Sequence, residues 1–170
     1  MFKKGDWIIY GSSGVCQVED IGAPDWAEDS QRQYYKLAPL YDAGTIHIPV
    51  DTDVFMRPIL TKQEAQELVA RIPEICADPC EPCDPRALAE HYREFLQSHA
   101  CEDLVQLIKI IYEKGQDLAR HGKKPGKTDQ QYRKRAEDLL NGELAVALGI
   151  PVEDVSEYIR RAAEGETVGL

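Results

Sequence analysis

The hydrophobic pattern of this 170-residue chain changes its period once, near residue 60, and that change bounds what it can fold into. Before it, short runs rich in β-branched and aromatic residues alternate with turns built from Gly, Ser and Asp. After it, apolar residues recur at helical spacing to the end. A chain of this length forms one large domain or two small ones, and a single switch favours two.

The first strand signals are Trp7 to Tyr10 and Val15 to Ile21, separated by the Gly11-Ser12-Ser13-Gly14 turn. Pro24 to Gln31 is polar and acidic and reads as a loop. Arg32 to Tyr41 resumes a strand, Asp42-Ala43-Gly44 turns it, and Thr45 to Val50 returns. Trp7, Tyr10, Tyr34 and Tyr35 are expected to cover the faces of this sheet. Four strands with tight turns predict an SH3- or Tudor-like small β-barrel or a twisted antiparallel sheet over residues 1–60.

Beyond Pro58 the chemistry is that of helices. Thr61-Lys62-Gln63-Glu64 is a capping box, so a helix starts at Thr61, buries Ala65, Leu68 and Ile72, and stops at Pro73. Residues 73–85 hold four prolines and three cysteines and read as an irregular linker, so 61–85 is assigned to a helix and a Pro/Cys-rich linker. Asp84-Pro85 pairs a capping carboxylate with a first-turn proline and opens the next helix, with Leu88, Tyr92, Phe95 and Leu96 on one face. A third helix, from about Glu102 to Arg120, carries Leu104, Leu107, Ile108, Ile111, Tyr112 and Leu118. Thr128-Asp129 opens a fourth, running through Ala136, Leu140 and Leu144 to Gly149, and Pro151 starts a last one with Val155, Tyr158 and Ile159. The fold class is therefore α+β in two domains, with residues 86–170 all-helical.

A net charge of −10 is a poor footprint for a chain that holds nucleic acid by phosphate neutralisation alone. Its distribution is uneven, because residues 109–135 carry nine basic against three acidic residues, a local +6 that leaves −16 on the rest. A basic segment on an acidic body orients a protein against DNA when a partner supplies most of the affinity. The plainer reading is a solvated helical surface. No catalytic constellation is evident: His47, His91, His99 and His121 fall in separate elements, and no nucleophile elbow, Walker loop or His-Glu-x-x-His is present. A non-enzymatic protein is expected, with no cofactor and no small-molecule substrate. No run of eighteen apolar residues occurs, and Gly5 and Asp6 interrupt any basic-then-apolar opening, so a cytoplasmic protein without a membrane partner is expected.

Five cysteines in such a chain read as reduced thiols. Cys76, Cys80 and Cys83 lie within eight residues and form a weak zinc candidate, with Cys101 or His99 as fourth ligand. Paired Cys-x2-Cys knuckles, the stronger signature, are missing, and a linker with tolerated cysteines is the plainer reading.

The string MFKKGDWIIYGSSGVCQVEDIG, followed by YYKL and TIHIPV, resembles the CarD/CdnL family of bacterial RNA polymerase-binding transcription regulators. The first domain of that family is similar to the polymerase-interacting domain of the transcription-repair coupling factor. Asn141 to Leu148, with its Gly142-Glu143-Leu144-Ala145 segment, is similar to the family's last helices. The resemblance implies that the β module binds the RNA polymerase β subunit by strand addition, with Thr45, Ile46, His47 and Ile48 as the polymerase face. It also implies a helical domain that touches promoter DNA with basic side chains and a tryptophan wedge. This sequence departs there: Leu88 stands at the wedge position, and Glu90 and His91 stand where those members have arginines. The candidate DNA residues are Leu88, Arg93, Lys123, Lys124, Lys127, Arg133, Lys134 and Arg135, and DNA binding is expected to be weak and polymerase-dependent. The rival readings are a protein adaptor of the transcription machinery that never touches DNA, and a zinc or redox switch at the cysteines.

Overall fold

The computed structural model describes residues 1–77 and 84–165, which divide into two units, Met1–Ile59 and Leu60–Leu170. In the first, Trp7–Tyr10 (β1) and Gly14–Gly22 (β2) form an antiparallel hairpin closed by a 3-10 turn at Gly11–Ser13. Gly11 holds φ at 43°, and a β-carbon there would stand 3.1 Å from Val54 Cγ1, so the turn needs glycine on both counts. Tyr34–Pro39 (β3) pairs with β2, Ile46–Pro49 (β4) with β3, and Met56–Pro58 (β5) with the far side of β1. The order β4-β3-β2-β1-β5 leaves β4 and β5 as unjoined edges, so the sheet is open. Of the two sheet forms anticipated, the twisted antiparallel sheet is the one that forms, with no closure into a barrel. The fifth strand, β5, goes beyond the four read from the sequence, since three residues ending in proline are too short to show alternation.

Strand alternation puts Ile8, Cys16, Val18, Tyr35, Leu37 and Ile48 into one apolar layer, with Ile46 and Phe2 packed at its margin. Each large aliphatic side chain buried there contributes about 1.5–3 kcal/mol. A bulge between Val18 and Asp20 inserts Glu19 and restores the outward direction for Asp20, opposite Lys36. Tyr34 and Tyr35 therefore separate, Tyr35 into the core and Tyr34 onto the opposite face.

In the second unit, Lys62–Arg71 (α1), Pro85–Gln97 (α2), Cys101–Arg120 (α3), Lys127–Leu148 (α4) and Val155–Ala163 (α5) surround one core. The capping box forms: the Thr61 hydroxyl accepts from the Glu64 amide at 3.2 Å, and the Glu64 carboxylate accepts from the Thr61 amide at 2.8 Å. Asp84 caps α2 ahead of Pro85, and Gly149, at φ 69°, ends α4 in the left-handed conformation. Tyr92, Leu107, Ala136, Leu144 and Val155 are fully buried between these helices. Two sequence expectations change. Helix α4 starts at Lys127 with Gly126 at its cap position, because Asp129 turns inward instead of serving the helix end. Tyr112, placed on the core face by its spacing, is half exposed, with the Arg133 guanidinium 5.7 Å from its ring centroid.

Burial, with the Asp42 charge second, pushes the Cys16 thiol up to about 11 from an ordinary 9.0. The folded chain thus keeps this proton after the unfolded chain has lost it, and stability falls as pH rises from about 9 toward about 11. Urea unfolding across that window should show the decline, and Cys16→Ala should flatten it; an unchanged slope in the variant would assign the decline to other groups.

Candidate functional site

The β4 edge is built by a hydrogen-bond alternation that can be followed residue by residue. The Val50 amide donates to the Gln33 carbonyl at 3.1 Å, which makes Gln33 and Val50 a hydrogen-bonded antiparallel pair. In such a ladder bonded and non-bonded pairs alternate. With Tyr34 opposite Pro49, Tyr35 opposite Ile48, Lys36 opposite His47 and Leu37 opposite Ile46, the bonded pairs are those of Ile48 and Ile46. Their N–H and C=O groups point at β3. Those of His47 and Thr45 point the other way, into the space beyond the edge, and Pro49 offers only a carbonyl there.

The four sequence candidates therefore split. Ile46 and Ile48 turn their side chains into the sheet core, Ile48 to 7 % exposure, and spend their backbone groups on β3. Thr45 and His47 are exposed and hold the unpaired edge. The opposite edge is a poorer template, because β5 has three residues and Pro58 has no N–H to offer. The Ile59 amide bonds the Trp7 carbonyl and the Gly11 amide bonds the Phe55 carbonyl, so Arg57 faces β1 and Pro58 faces outward.

On the outer face beside His47 stands a residue that strand and helix patterns pass over. Trp26, in the loop between β2 and β3, lies with its ring centroid 5.7 Å from His47 and 5.4 Å from Tyr34, both edge-on. It remains 61 % exposed. Arg32 pairs with Asp51 at 3.3 Å and lies 5.9 Å from the Tyr34 ring centroid, while Lys36 pairs with Glu19 at 3.0 Å. The only sequence signal for Trp26 was a lone tryptophan in a polar loop.

In the helical unit the DNA candidates fare unevenly. Leu88 is partly buried against the core, which supports packing. Arg133 pairs with Glu137 at 2.8 Å and Lys134 with Asp138 at 3.1 Å, each one helical turn along α4. Arg93, Lys123, Lys124 and Lys127 are exposed and form no ion pair among the described residues, and Arg135 is exposed with contacts of its own. Lys114, which contributes to the local +6, turns to Asp129, and Lys109 donates to the carbonyls of Ile72 and Ile75. The basic segment is thus concentrated at the α3–α4 loop.

Two buried carboxylates, invisible to periodicity, hold this loop and the unit's first residue. Asp129, 3 % exposed, accepts from the Tyr92 hydroxyl at 2.8 Å and from Lys114 Nζ at 3.1 Å, joining α2, α3 and α4 two residues after Lys127. Burial first, then the hydrogen bond and charge of Asp129, pushes the Tyr92 phenol up from its ordinary value. Glu143, 1 % exposed, accepts from the Leu60 amide and from the Cys101 thiol, each at 3.0 Å.

Cys80 and Cys83 lie outside the described residues. Cys76 is exposed and Cys101 is buried against Glu143. Among the described residues no group of three His, Cys, Asp or Glu side chains lies close enough together to hold a metal ion. Nor is any helix among them long and apolar enough to cross a membrane.

The open antiparallel sheet thus has, at β4, an unpaired polar edge of the kind that strand addition uses. Residues 2–60 match the family model of the CarD-like/TRCF RID domain. The match falls on the first unit, which is a CarD-like/TRCF RID domain, and the domains of that family are RNA polymerase-interacting and non-catalytic. No curated protein matches the chain.

Asp129→Ala would leave the Tyr92 hydroxyl buried without its acceptor and Lys114 without its partner. Because Lys114 is partly solvated, the expected loss in urea unfolding is about 1–3 kcal/mol, less for Asp129→Asn. Equal stability of both variants and the parent would contradict a structural role for this network.

Proposed function

We propose that the chain is a CarD-like, non-enzymatic transcription regulator of the bacterial cytoplasm that docks on the RNA polymerase β subunit by adding β4 to the partner's sheet. The observation that carries this reading is the free β4 edge within a CarD-like/TRCF RID domain, where Thr45 and His47 have unpaired backbone groups. Main-chain bonds supply affinity in this mode and alternate side chains supply selectivity. Ile46 and Ile48 act from below, fixing the register by burying their side chains in the core.

The helical unit then lies near upstream promoter DNA and modulates open-complex stability. Lys123, Lys124 and Lys127, with Arg93 as a further phosphate contact, are the groups best suited to it, since Arg133 and Lys134 are largely neutralised within α4. A factor that contacts the open complex better than the closed one shifts the equilibrium, tenfold for about 1.4 kcal/mol. With Leu88 packed inward, DNA contact is weak and depends on polymerase. The second reading, a protein adaptor without DNA contact, is favoured by that same packing and by the acidic balance of the chain.

Two experiments separate these. His47→Pro removes the outward N–H while leaving every bond to β3 in place, because His47 is in a non-bonded pair with Lys36. It should weaken binding to polymerase at least about tenfold, with the thermal midpoint nearly unchanged; undiminished binding would exclude β4 as the docking edge. Charge reversal at Lys123, Lys124 and Lys127 should abolish the effect on open-complex lifetime and leave polymerase binding intact. An unchanged lifetime in a chain that otherwise alters it would favour the adaptor.

A further inference from the structure

The helical unit holds a cavity of about 280 Å³ where the end of α1 meets α3, α4 and α5. Its lining follows from helical spacing: Val105, Ile108 and Lys109 share one face of α3, and Glu137, Leu140 and Asn141 share one face of α4. Ser156 and Ile159 border it from α5, and Ile72 from the end of α1. Most of the wall is apolar, and Val105 and Leu140 in it belong to the buried core. A cavity of about 150 Å³ with such a lining takes up benzene, so this one has room for a ring or a branched chain that carries a polar group. It stands at the small end of ligand sites, which span roughly 300–1,000 Å³.

The side chains at its rim decide the kind of polar group. Lys109 is partly buried, and its ammonium donates to the Ile72 carbonyl and, at 2.7 Å, to the Ile75 carbonyl. Both acceptors are uncharged, and Lys109 forms no ion pair among the described residues. Taking a cation out of water costs free energy unless an anion stands beside it. Glu137 does not serve, because its carboxylate pairs with Arg133 at 2.8 Å. The other two polar side chains, the Asn141 amide and the Ser156 hydroxyl, form no hydrogen bond among the described residues. Each is able to donate to a carboxylate oxygen. A neutral ligand would leave the Lys109 charge uncompensated, a cationic one would be repelled by it, and an inorganic anion would leave the apolar wall unused.

We infer that this cavity binds a small organic acid, a carboxylate on a compact aromatic or branched aliphatic body. The carboxylate is received by Lys109, Asn141 and Ser156, and the body lies against Ile108, Leu140 and Ile159. The site is contained in the helical unit and does not depend on how β4 docks. Because four helices border it, an occupant stabilises their packing by mass action.

The test uses the full chain, with phenylacetate as the probe and its uncharged counterpart phenylacetamide and acetate as controls, followed by calorimetry and amide chemical shifts. Phenylacetate should bind with a dissociation constant of about 1 mM or lower, raise the thermal midpoint, and shift amides around Ile108, Leu140 and Ile159. Phenylacetamide and acetate should each bind at least about tenfold more weakly. Lys109→Met, which keeps the apolar stem, should weaken phenylacetate about tenfold and leave phenylacetamide unchanged. That variant also loses the bonds to Ile72 and Ile75, so Ser156→Trp supplies a second: it adds a ring at the mouth from an exposed position of α5, and should abolish binding at an unchanged thermal midpoint. Equal affinity for acid and amide, no binding by the folded parent, or undiminished binding in Ser156→Trp would each overturn the inference. Shifts confined to Lys123, Lys124 and Lys127 would also overturn it, by reporting general anion attraction at the α3–α4 loop. If Ser156→Trp weakens polymerase binding while phenylacetate leaves the parent unchanged, the cavity receives a partner protein's side chain and the small-acid assignment fails.

Discussion

Each residue of a strand sends its N–H and C=O to one side only, and in β4 this rule decides everything that follows. Ile46 and Ile48 are committed to β3 by backbone and to the core by side chain. Thr45 and His47 are left with groups that only another strand, or water, can satisfy. A one-residue slip would exchange these roles, putting the isoleucines outside and His47 in the core. The apolar layer of Ile8, Val18, Tyr35 and Leu37 prevents that slip, so the stability of the sheet and the direction of its free edge have the same origin.

The same economy appears in how the edges are managed. A free strand edge is an aggregation hazard, and β5 is protected by its brevity and by Pro58. Pro49 sets the limit on β4: it loses no bond to β3, because its partner Tyr34 is in a non-bonded pair, but it ends the run of outward donors. What remains is a short, polar open segment, His47 with Thr45 before it, with charged and aromatic groups to one side. In the helical unit, comparable precision is supplied by buried carboxylates. Asp129 ties the start of α4 to α2 and α3, which fixes the base of the lysine-rich loop, and Glu143 receives the first residue of the unit. Satisfied buried polar groups of this kind specify an arrangement more than they add stability.

Local chemistry made much of this legible in advance. The Thr61–Glu64 capping box, the Asp84-Pro85 start and the Gly149 stop depend on neighbouring residues alone, and all three form as their sequences dictate. The strands from Trp7 to Pro49 were legible because alternation and turn residues agree over enough positions. β5 was not, since three residues carry no period. Long-range pairing was equally hidden. Asp129 and Glu143 look like solvated positions of a charged helix, and only the approach of Tyr92, Lys114, Leu60 and Cys101 shows them to be interior. Arg133 and Lys134 counted toward a basic surface until their partners one turn on, Glu137 and Asp138, were seen to face them. Trp26 was read as a loop residue because nothing in its own segment reveals that His47 and Tyr34 lie beneath it.

Hydrogen exchange of the full chain, free and bound to RNA polymerase core enzyme, tests the central claim most directly. In the free chain the amides of Ile46 and Ile48 should exchange slowly and those of Thr45 and His47 quickly, as the ladder dictates. On binding, Thr45 and His47 should become protected while Ile46 and Ile48 change little. Protection confined to the helices, or His47 already slow in the free chain, would contradict a free β4 edge as the site of docking.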